Sequence, residues 1–204
     1  MGAALGRRWA EAGHAVTYSF SRDKAKLERL ARQSGGRAKV GTPAEAVRGA
    51  DAVLFAVPWH QMPKVLRQAG SLRGKVLIDC SMPMNRKDTE LAVGFRTSGG
   101  EQLARRARGA KVVKAFNTIP AELLRAGPEV LAAKPSVCYC GDAPSAKRLV
   151  ARLIRQMGYE PVDCGRLAMA RYLEPFTLVV AELAYEQGRR PEVGVAVLRP
   201  KRRR

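Results

Sequence analysis

The chain has 204 residues, of which 46% are apolar and 27% charged, so it can bury a substantial core and is not wholly disordered. Lysine and arginine number 37 against 18 acidic residues, for a formal charge of +19, which allows a nucleic-acid or anionic-surface partner. We favour a solvated basic surface and do not expect nucleic acid as a partner. The basic residues are spread along the chain, and no nucleic-acid-binding motif is present.

No apolar run approaches the ~18 residues of a membrane span, and the first residues lack the order of a signal peptide. We therefore expect a cytoplasmic protein without a membrane partner. Four cysteines do not make a disulfide framework in a chain of this length, and no potential ligands have the spacing of a metal site. We expect buried thiols and no metal.

Apolar runs of strand length alternate with helical stretches, which predicts βα units around a largely parallel sheet. The predicted strands cover residues 15–20, 51–57, 75–80, 111–116, 136–140, 160–163 and 193–198. The predicted helices cover residues 24–33, 99–107, 120–126 and 169–187, with one more beginning at Thr42 and one running from Asp142 or Ser145 to Met157. Pro175 is expected to kink the last helix or to mark its start.

Small residues at positions 1–6 begin a first helix that ends at Gly13, directly before the first predicted strand. In a dinucleotide-binding βαβ unit, the third glycine of GxGxxG lies at the start of such a helix, where a side chain would hold helix and strand apart. Gly2 fits this third position. The first strand and the first two glycines would then precede residue 1, so we expect a doubly wound sheet lacking its first strand. The alternative is an ordinary helix that begins with small residues.

A second spacing points to the same kind of unit. The residue that meets the adenosine ribose lies about 20 positions beyond the glycine turn. Here that position holds Ser21 and Arg22, with Lys26 one helical turn further on. A hydroxyl and two cations suit the 2′-phosphate of NADP, and we expect Asp23 to cap the following helix. The alternative is that these residues form a plain polar turn.

Several segments of the sequence carry a family resemblance. They are MGAALGRRWAEAGH (1–14), FSRD (20–23), VLFAVPW (53–59), GKVLIDC (74–80), VVKAFNTIP (112–120), CGD (140–142) and YLEP (172–175). Over essentially its whole length the chain resembles the NADP-dependent oxidoreductases related to NADPH:coenzyme F420 reductase, whose coenzyme is a deazaflavin. The resemblance implies hydride transfer between NADPH and a deazaflavin, a flavin or another small acceptor.

The resemblance also implies where the ligands bind. The cofactor site would comprise Gly2, Ser21, Arg22, Lys26, Ala56, Val57 and Pro58. The acceptor would face Asn117, Thr118, Ile119 and Pro120, and some relatives have a histidine where this chain has Asn117. We expect no catalytic acid–base residue, because the cofactors carry the reaction. Relatives often pair through their C-terminal parts, so we expect that the chain can form a homodimer through the apolar helix around residues 173–184.

The expected organisation is an NADP-binding Rossmann-type domain at residues 1–116, a smaller α/β portion at 117–198 and a basic tail at 199–204. Three alternatives remain. An imine or β-hydroxyacid reductase is disfavoured, because fewer than 90 residues follow Asn117 and they still contain strands. A basic module that binds nucleic acid or membrane surfaces is disfavoured by the low aromatic content of 6%. The third is an NADP-binding protein that is inactive because its phosphate loop is incomplete.

Overall fold

The computed structural model describes residues 1–21, 23–187 and 190–200. Strands and helices alternate along most of this length. The strands are β1 (Val16–Tyr18), β2 (Ala38–Val40), β3 (Ala52–Phe55), β4 (Val76–Asp79), β5 (Lys111–Ala115), β6 (Ser136–Gly141) and β7 (Glu160–Asp163). The helices are α1 (Gly2–Glu11), α2 (Lys24–Gln33), α3 (Pro43–Arg48), α4 (Met62–Ala69), α5 (Gly99–Arg106), α6 (Ala121–Ala126), α7 (Pro144–Gln156) and α8 (Ala170–Ala181).

The strands form two sheets. The larger sheet has the order β3-β4-β5-β6-β7, in which only the β5–β6 pairing is antiparallel. Strands β1 and β2 pair in parallel as a separate two-stranded sheet. Within the described residues, β1 and β3 therefore each keep one edge without a strand partner. The predicted α/β architecture with a mostly parallel, Rossmann-like sheet is confirmed.

Apolar clusters cover both faces of the larger sheet. Alternate residues of β5 divide between them, since Val113 and Ala115 belong to one cluster and Val112 to the other. The first cluster also includes side chains of α1, α6 and α7, and the second includes side chains of α4, α5 and α8. Burial on both faces explains why the sequence shows nearly continuous apolar runs rather than strict alternation.

Helix α1 lies close to the strands because its residues are small. A Cβ on Gly6 would stand 2.6 Å from Cε1 of Tyr18, and a Cβ on Gly2 would stand 3.3 Å from the Cβ of Ala56. The Tyr18 ring is fixed by a 2.7 Å hydrogen bond between its hydroxyl and that of Ser34. The small residues near the start of the chain thus set the approach of this helix to β1 and to the end of β3.

Three predicted helix ends are confirmed. The Asp23 side chain accepts a hydrogen bond from the backbone N–H of Lys26 at 2.9 Å. Thr42 and Glu45 form the reciprocal capping box, with bonds of 3.3 and 2.7 Å. Gly158 takes the left-handed conformation after α7, with φ +86°.

The predicted strand at 193–198 is wrong. This segment makes one backbone bond to β6, from Ser136 N–H to the Val195 carbonyl at 2.7 Å, and the Val197 N–H donates to the Ser136 hydroxyl at 3.0 Å. Strand β6 pairs with β7 over Ser136–Tyr139 and with β5 over Tyr139–Gly141, and the segment at 193–198 adds these two bonds at its start without forming a ladder. The predicted basic tail reaches past the described residues from Lys201 onward.

Two predicted helices differ in their limits. Helix α8 begins at Ala170 and ends at Ala181, and Pro175 lies within this helix. A wider π-type turn follows over Glu182–Glu186. Helix α7 starts with Pro144, whereas the Asp142 carboxylate accepts the N–H of Leu167 at 3.0 Å instead of capping the helix.

Strand β2 was not predicted, because its sequence AKV has no apolar run. No described helix is long and apolar enough to cross a membrane.

Candidate functional site

The carboxyl ends of β3, β4 and β5 open at one edge of the larger sheet, because these strands are parallel. Directly after β4, the backbone N–H of Cys80 donates to the carbonyl of Phe55, the last residue of β3, at 3.2 Å. This bond extends the pairing of β3 and β4 by one residue. Burial raises the pKa of Cys80 to about 12, so its thiol stays protonated at neutral pH. Ligands of open α/β sheets collect outside such an edge.

Two of the predicted cofactor residues meet here. Gly2, at the start of α1, faces Ala56, which follows β3, with only 3.3 Å between the Ala56 Cβ and the place of a Cβ on Gly2. Within the described chain, no side chain caps the N-terminus of α1. Val57 continues from Ala56 and is half-buried, and the exposed Pro58 accepts the N–H of Gln61 at 2.8 Å. The structure therefore brings a helix N-terminus and the end of β3 into contact.

The predicted 2′-phosphate residues lie at the end of β1 and the start of α2. Ser21 and Lys26 are exposed, and the Ser21 hydroxyl accepts the N–H of Asp23 at 3.1 Å. The Asp23 carboxylate is engaged by its cap on α2 and by Arg29 at 3.8 Å. Arg22 lies outside the described residues.

The predicted acceptor segment follows β5 and is buried along its whole length. Ile119 packs in the first core cluster, and Thr118 and Pro120 are also covered. Asn117 is 7% exposed, and its amide nitrogen donates to the Leu173 carbonyl at 2.9 Å and to the Thr177 hydroxyl at 2.7 Å. Its amide oxygen has no hydrogen-bond partner among the described residues. A buried acceptor without a hydrogen bond lowers the stability of the fold by about 1–3 kcal/mol.

Two strained residues directly precede these segments, and the sequence gave no sign of either. Phe20 has φ +58° before Ser21, and Phe116 has φ +66° before Asn117. L-residues rarely adopt this region, at a cost of about 1–3 kcal/mol, and such residues cluster at functional sites. Phe116 is fully buried and packs edge-to-face with Trp9 at 5.9 Å between ring centroids.

Sequence reasoning also missed a cluster of buried charges between β4, β5 and α8, near the carboxyl ends of the two strands. The fully buried Lys114 ammonium lies 3.0 Å from Asp79 and 2.9 Å from Glu174, and it also donates to the Ser81 carbonyl. Burial lowers the pKa of Lys114, but the two facing carboxylates outweigh that effect and raise it overall, so the ammonium stays charged.

The same cluster fixes two helices on the sheet. The Glu174 carboxylate accepts the N–H groups of Gly99 and Gly100 at 2.8 and 3.0 Å, and so caps α5 from α8. Arg171 and Glu101 add a bidentate pair between the same helices, with bonds of 2.9 and 2.7 Å. A lysine inside the otherwise apolar run KVVKAF was the one signal that could have suggested a buried charge here.

The described part of the chain contains no group of three or more histidine, cysteine, aspartate or glutamate side chains that could hold a metal ion. What this edge does offer is a helix N-terminus without a side-chain cap, small residues next to it and one unpaired buried amide oxygen. These features suit an anionic ligand with a flat polar ring.

The chain is similar to known proteins in sequence and in fold. The sequence pattern of the family described as NADP oxidoreductase, coenzyme F420-dependent, matches residues 1–83. The chain is 36% identical over 141 residues to the metalloreductase STEAP3 of Rattus norvegicus, a match that covers 69% of this chain and 28% of that protein. The chain thus spans under a third of the length of this relative.

Two solved structures match nearly the whole chain. A putative F420-dependent NADP-reductase from Arthrobacter is 27% identical, with a TM-score of 0.86 over 97% of this chain and 94% of the other. A hypothetical protein from Sinorhizobium meliloti is 30% identical, with a TM-score of 0.74 over 98% of this chain and 91% of the other. The first 83 residues thus match the family of coenzyme F420-dependent NADP oxidoreductases, and nearly the whole chain shares its fold with a putative member of that kind.

Proposed function

We propose that this protein binds NADPH at the carboxyl edge of β3, β4 and β5 and transfers a hydride between NADPH and a deazaflavin, a flavin or another small acceptor. The observation that carries the proposal is the contact of Gly2 with Ala56 beside the uncapped N-terminus of α1. A helix N-terminus of this kind attracts phosphate groups, and the glycine at position 2 lets the helix lie close to the end of β3.

The residues present fit the cofactor. Ser21 and Lys26 are exposed at the start of α2, and together with Arg22 they would hold the 2′-phosphate. One oxygen of the Asp23 carboxylate caps α2 and the other lies 3.8 Å from Arg29, which favours a structural role for this residue. Ala56, Val57 and Pro58 would line the path of the cofactor along the end of β3.

When bound, NADPH supplies the hydride, and the protein's task is to align two flat rings and exclude water. The acceptor side would be formed by Asn117, Thr118, Ile119 and Pro120. In this chain Ile119 packs in the core, Thr118 and Pro120 are buried, and the amide oxygen of Asn117 has no hydrogen-bond partner among the described residues. No side chain needs to gain or lose a proton for this task.

We include in the proposal a cytoplasmic location and a homodimer. The support for the homodimer is an apolar stripe on α8 and the turn after it. Tyr172, Phe176, Val179 and Leu183 follow helical spacing, and three of them are exposed. A second copy of the chain would cover this stripe.

The test is NADPH oxidation with a panel of acceptors comprising coenzyme F420, riboflavin, FMN, FAD and a ferric chelate. We expect loss of the reduced-nicotinamide absorbance with at least one of them, and a faster rate with NADPH than with NADH. The ferric chelate is included because STEAP3 is named a metalloreductase. If no acceptor in the panel oxidises NADPH and the protein does not bind NADPH in a calorimetric titration, the proposal is wrong.

A further inference from the structure

The four cysteines of the chain, all of them free thiols, differ in their exposure. Cys80 and Cys140 are buried, as expected from the sequence, whereas Cys138 and Cys164 are only half-buried, so the expectation of buried thiols is wrong for these two. Cys138 lies on β6 and Cys164 directly after β7, at the opposite end of the strand order from β3. The proposed function uses neither of them.

The pairing of β6 and β7 places these two half-buried thiols on one face of the sheet. Cys138 stands opposite Val162 in the parallel register, and Cys164 follows Val162 by two residues, so both side chains point the same way. A backbone bond from the Cys164 N–H to the Tyr139 carbonyl at 2.8 Å continues the pairing beyond β7. Both side chains pack against the second apolar cluster, which contains the buried Cys140.

The two thiols interact directly and unequally. Hydrogen bonding to Cys138 lowers the pKa of Cys164 to about 7, although burial and the neighbouring Asp163 carboxylate act in the opposite direction. The same hydrogen bond raises the pKa of Cys138, which therefore keeps its proton. When Cys164 is protonated, its thiol donates to the Val162 carbonyl at 3.6 Å. At neutral pH much of Cys164 is thus thiolate, which is the nucleophilic form of cysteine.

The charged groups beside Cys164 are engaged with one another. Asp163 is paired with the Lys147 ammonium at 3.0 Å and accepts the N–H of Gly165 at 2.8 Å. The same ammonium donates to the Gly165 carbonyl at 3.4 Å, so a positive charge lies near the residue that follows Cys164. A partly exposed thiolate with a second thiol beside it is the arrangement found in cysteines that oxidise reversibly. The buried Cys80, with a pKa raised to about 12, has neither feature.

We propose that Cys164 and Cys138 form a reversible oxidation site that reacts with hydroperoxides. The Cys164 thiolate attacks the terminal peroxide oxygen, the O–O bond breaks, and the departing oxygen takes up a proton to leave as water or an alcohol. The Cys138 sulfur then attacks the resulting sulfenic acid, an S–S bond forms, and the hydroxyl leaves with the Cys138 proton as water. The two thiols lose two electrons and two protons, and the peroxide takes up both. The reaction needs neither NADPH nor its acceptor.

The experiment treats the folded full-length chain with hydrogen peroxide, blocks the remaining thiols under denaturing conditions and maps the peptides by mass spectrometry without reduction. Trypsin places Cys164 on a different peptide from Cys138 and Cys140. Chymotrypsin then cleaves after Tyr139, between the latter two cysteines. We expect a cross-link between Cys138 and Cys164 that dithiothreitol removes, while Cys80 stays a thiol. A cross-link to Cys140 instead, or no cross-link at all, would overturn the proposal.

Two variants separate the roles of the thiols. Cys138→Ala removes the resolving thiol, so we expect no cross-link and a sulfenic acid at Cys164 that dimedone traps. Cys140→Ala, the matched control on the same strand and face, should keep the cross-link. If that control does not fold, the chymotryptic map of the wild-type protein still decides between Cys138 and Cys140.

The reactivity of Cys164 provides a second readout that needs no oxidant. Its alkylation by iodoacetamide over a pH series should have a midpoint near pH 7 in the wild-type protein. In Cys138→Ala the midpoint should move up toward the ordinary thiol value of about 8.5, because the hydrogen bond to the thiolate is lost. A wild-type midpoint at the ordinary value, or one that Cys138→Ala leaves unchanged, contradicts the proposal.

Discussion

Asp23 shows how the contacts of one side chain bear on the proposed 2′-phosphate site. A carboxylate at this place in the fold would favour the free ribose hydroxyl of NAD, yet both of its oxygens are engaged. One accepts the Lys26 N–H at 2.9 Å and caps α2, and the other lies 3.8 Å from Arg29. Ser21 and Lys26 remain exposed beside it, so the side chains free to meet a ligand are a hydroxyl and an ammonium.

Arg22→Ala should weaken the binding of NADPH about tenfold or more and leave the binding of NADH unchanged. The reason is that a charge-assisted bond to the 2′-phosphate is lost, and NADH has no such group. Calorimetric titration with both nucleotides measures the effect. Arg32→Ala, which removes an exposed arginine from the last turn of α2, is the matched control and should change neither affinity. Equal losses for both nucleotides in Arg22→Ala would contradict the 2′-phosphate assignment.

At the scale of elements, the contacts between helices and strands depend on small residues and on one buried charge cluster. Gly6 lets α1 approach Tyr18 of β1, and Lys114 joins β4, β5 and α8. The sequence predicted close packing of α1 on a strand, because the helix begins with small residues. It did not predict the charge cluster, because Glu174 lies 60 positions away from Lys114 and nothing in the sequence connects them.

Gly6→Ala should lower the free energy of unfolding by about 1–3 kcal/mol, because the new methyl group would stand 2.6 Å from the fixed Tyr18 ring. Urea denaturation followed by circular dichroism measures it. Gly49→Ala provides the comparison, since a Cβ there meets nothing within 4 Å and the backbone has φ −91°. If both variants unfold at the same urea concentration, the close packing of α1 on β1 is not what limits stability there.

Lys114→Met should destabilise the fold by about 3–5 kcal/mol at neutral pH, because Asp79 and Glu174 are left buried without their cation. Lys111→Met removes an exposed lysine from the first position of the same strand and should change stability by no more than about 0.5 kcal/mol.

The pH dependence adds an independent check. The pKa of Lys114 is raised above its ordinary 10.5, so its contribution is fully present below pH 10.5 and is lost as the pH rises through the higher pKa of the folded state. Urea midpoints over an alkaline pH series should fall for the wild-type protein, and the part due to Lys114 should be missing in Lys114→Met. Parallel curves for the two proteins would show that the ammonium does not contribute.

Across the whole molecule, the sequence predicted what depends on local patterns and missed what depends on distant pairs. Nearly continuous apolar runs located β3 and β4, because both faces of the sheet are covered, and Thr42 and Asp23 located two helix starts. Strand β2 was missed and a strand was wrongly predicted at 193–198, because pairing in both segments depends on neighbouring strands rather than on their own residues. The division into an NADP-binding domain and a smaller C-terminal portion stays a prediction.

The candidate site divides in the same way. Spacing from the helix start led to Gly2 and to Ser21, and the structure places Gly2 against Ala56. The free oxygen of Asn117 could not be read from the sequence, since it results from two hydrogen bonds to a helix more than 50 residues away. Strain at Phe116 has no sequence signal, because phenylalanine is ordinarily a strand residue.

Val179→Arg should shift the protein from dimer to monomer, because a second copy would bring two guanidinium groups together in the apolar stripe on α8. Sedimentation velocity at several concentrations measures the change. Val130→Arg is a closely matched control, since Val130 and Val179 are both 54% exposed and Val130 lies outside the stripe. A wild-type protein that sediments as a monomer at every concentration would remove the support for the homodimer.

The position of Glu174 has a consequence for how the chain comes apart. Lys114 and Asp79 lie within residues 1–116, whereas the third member of that buried cluster, Glu174, lies on α8 near the end of the chain. Loosening α8 would remove one of the two carboxylates from the buried Lys114 ammonium and the cap from α5, so we expect the two parts of the chain to unfold together. Heating should therefore give one calorimetric peak, and two resolved peaks would show that the halves unfold independently.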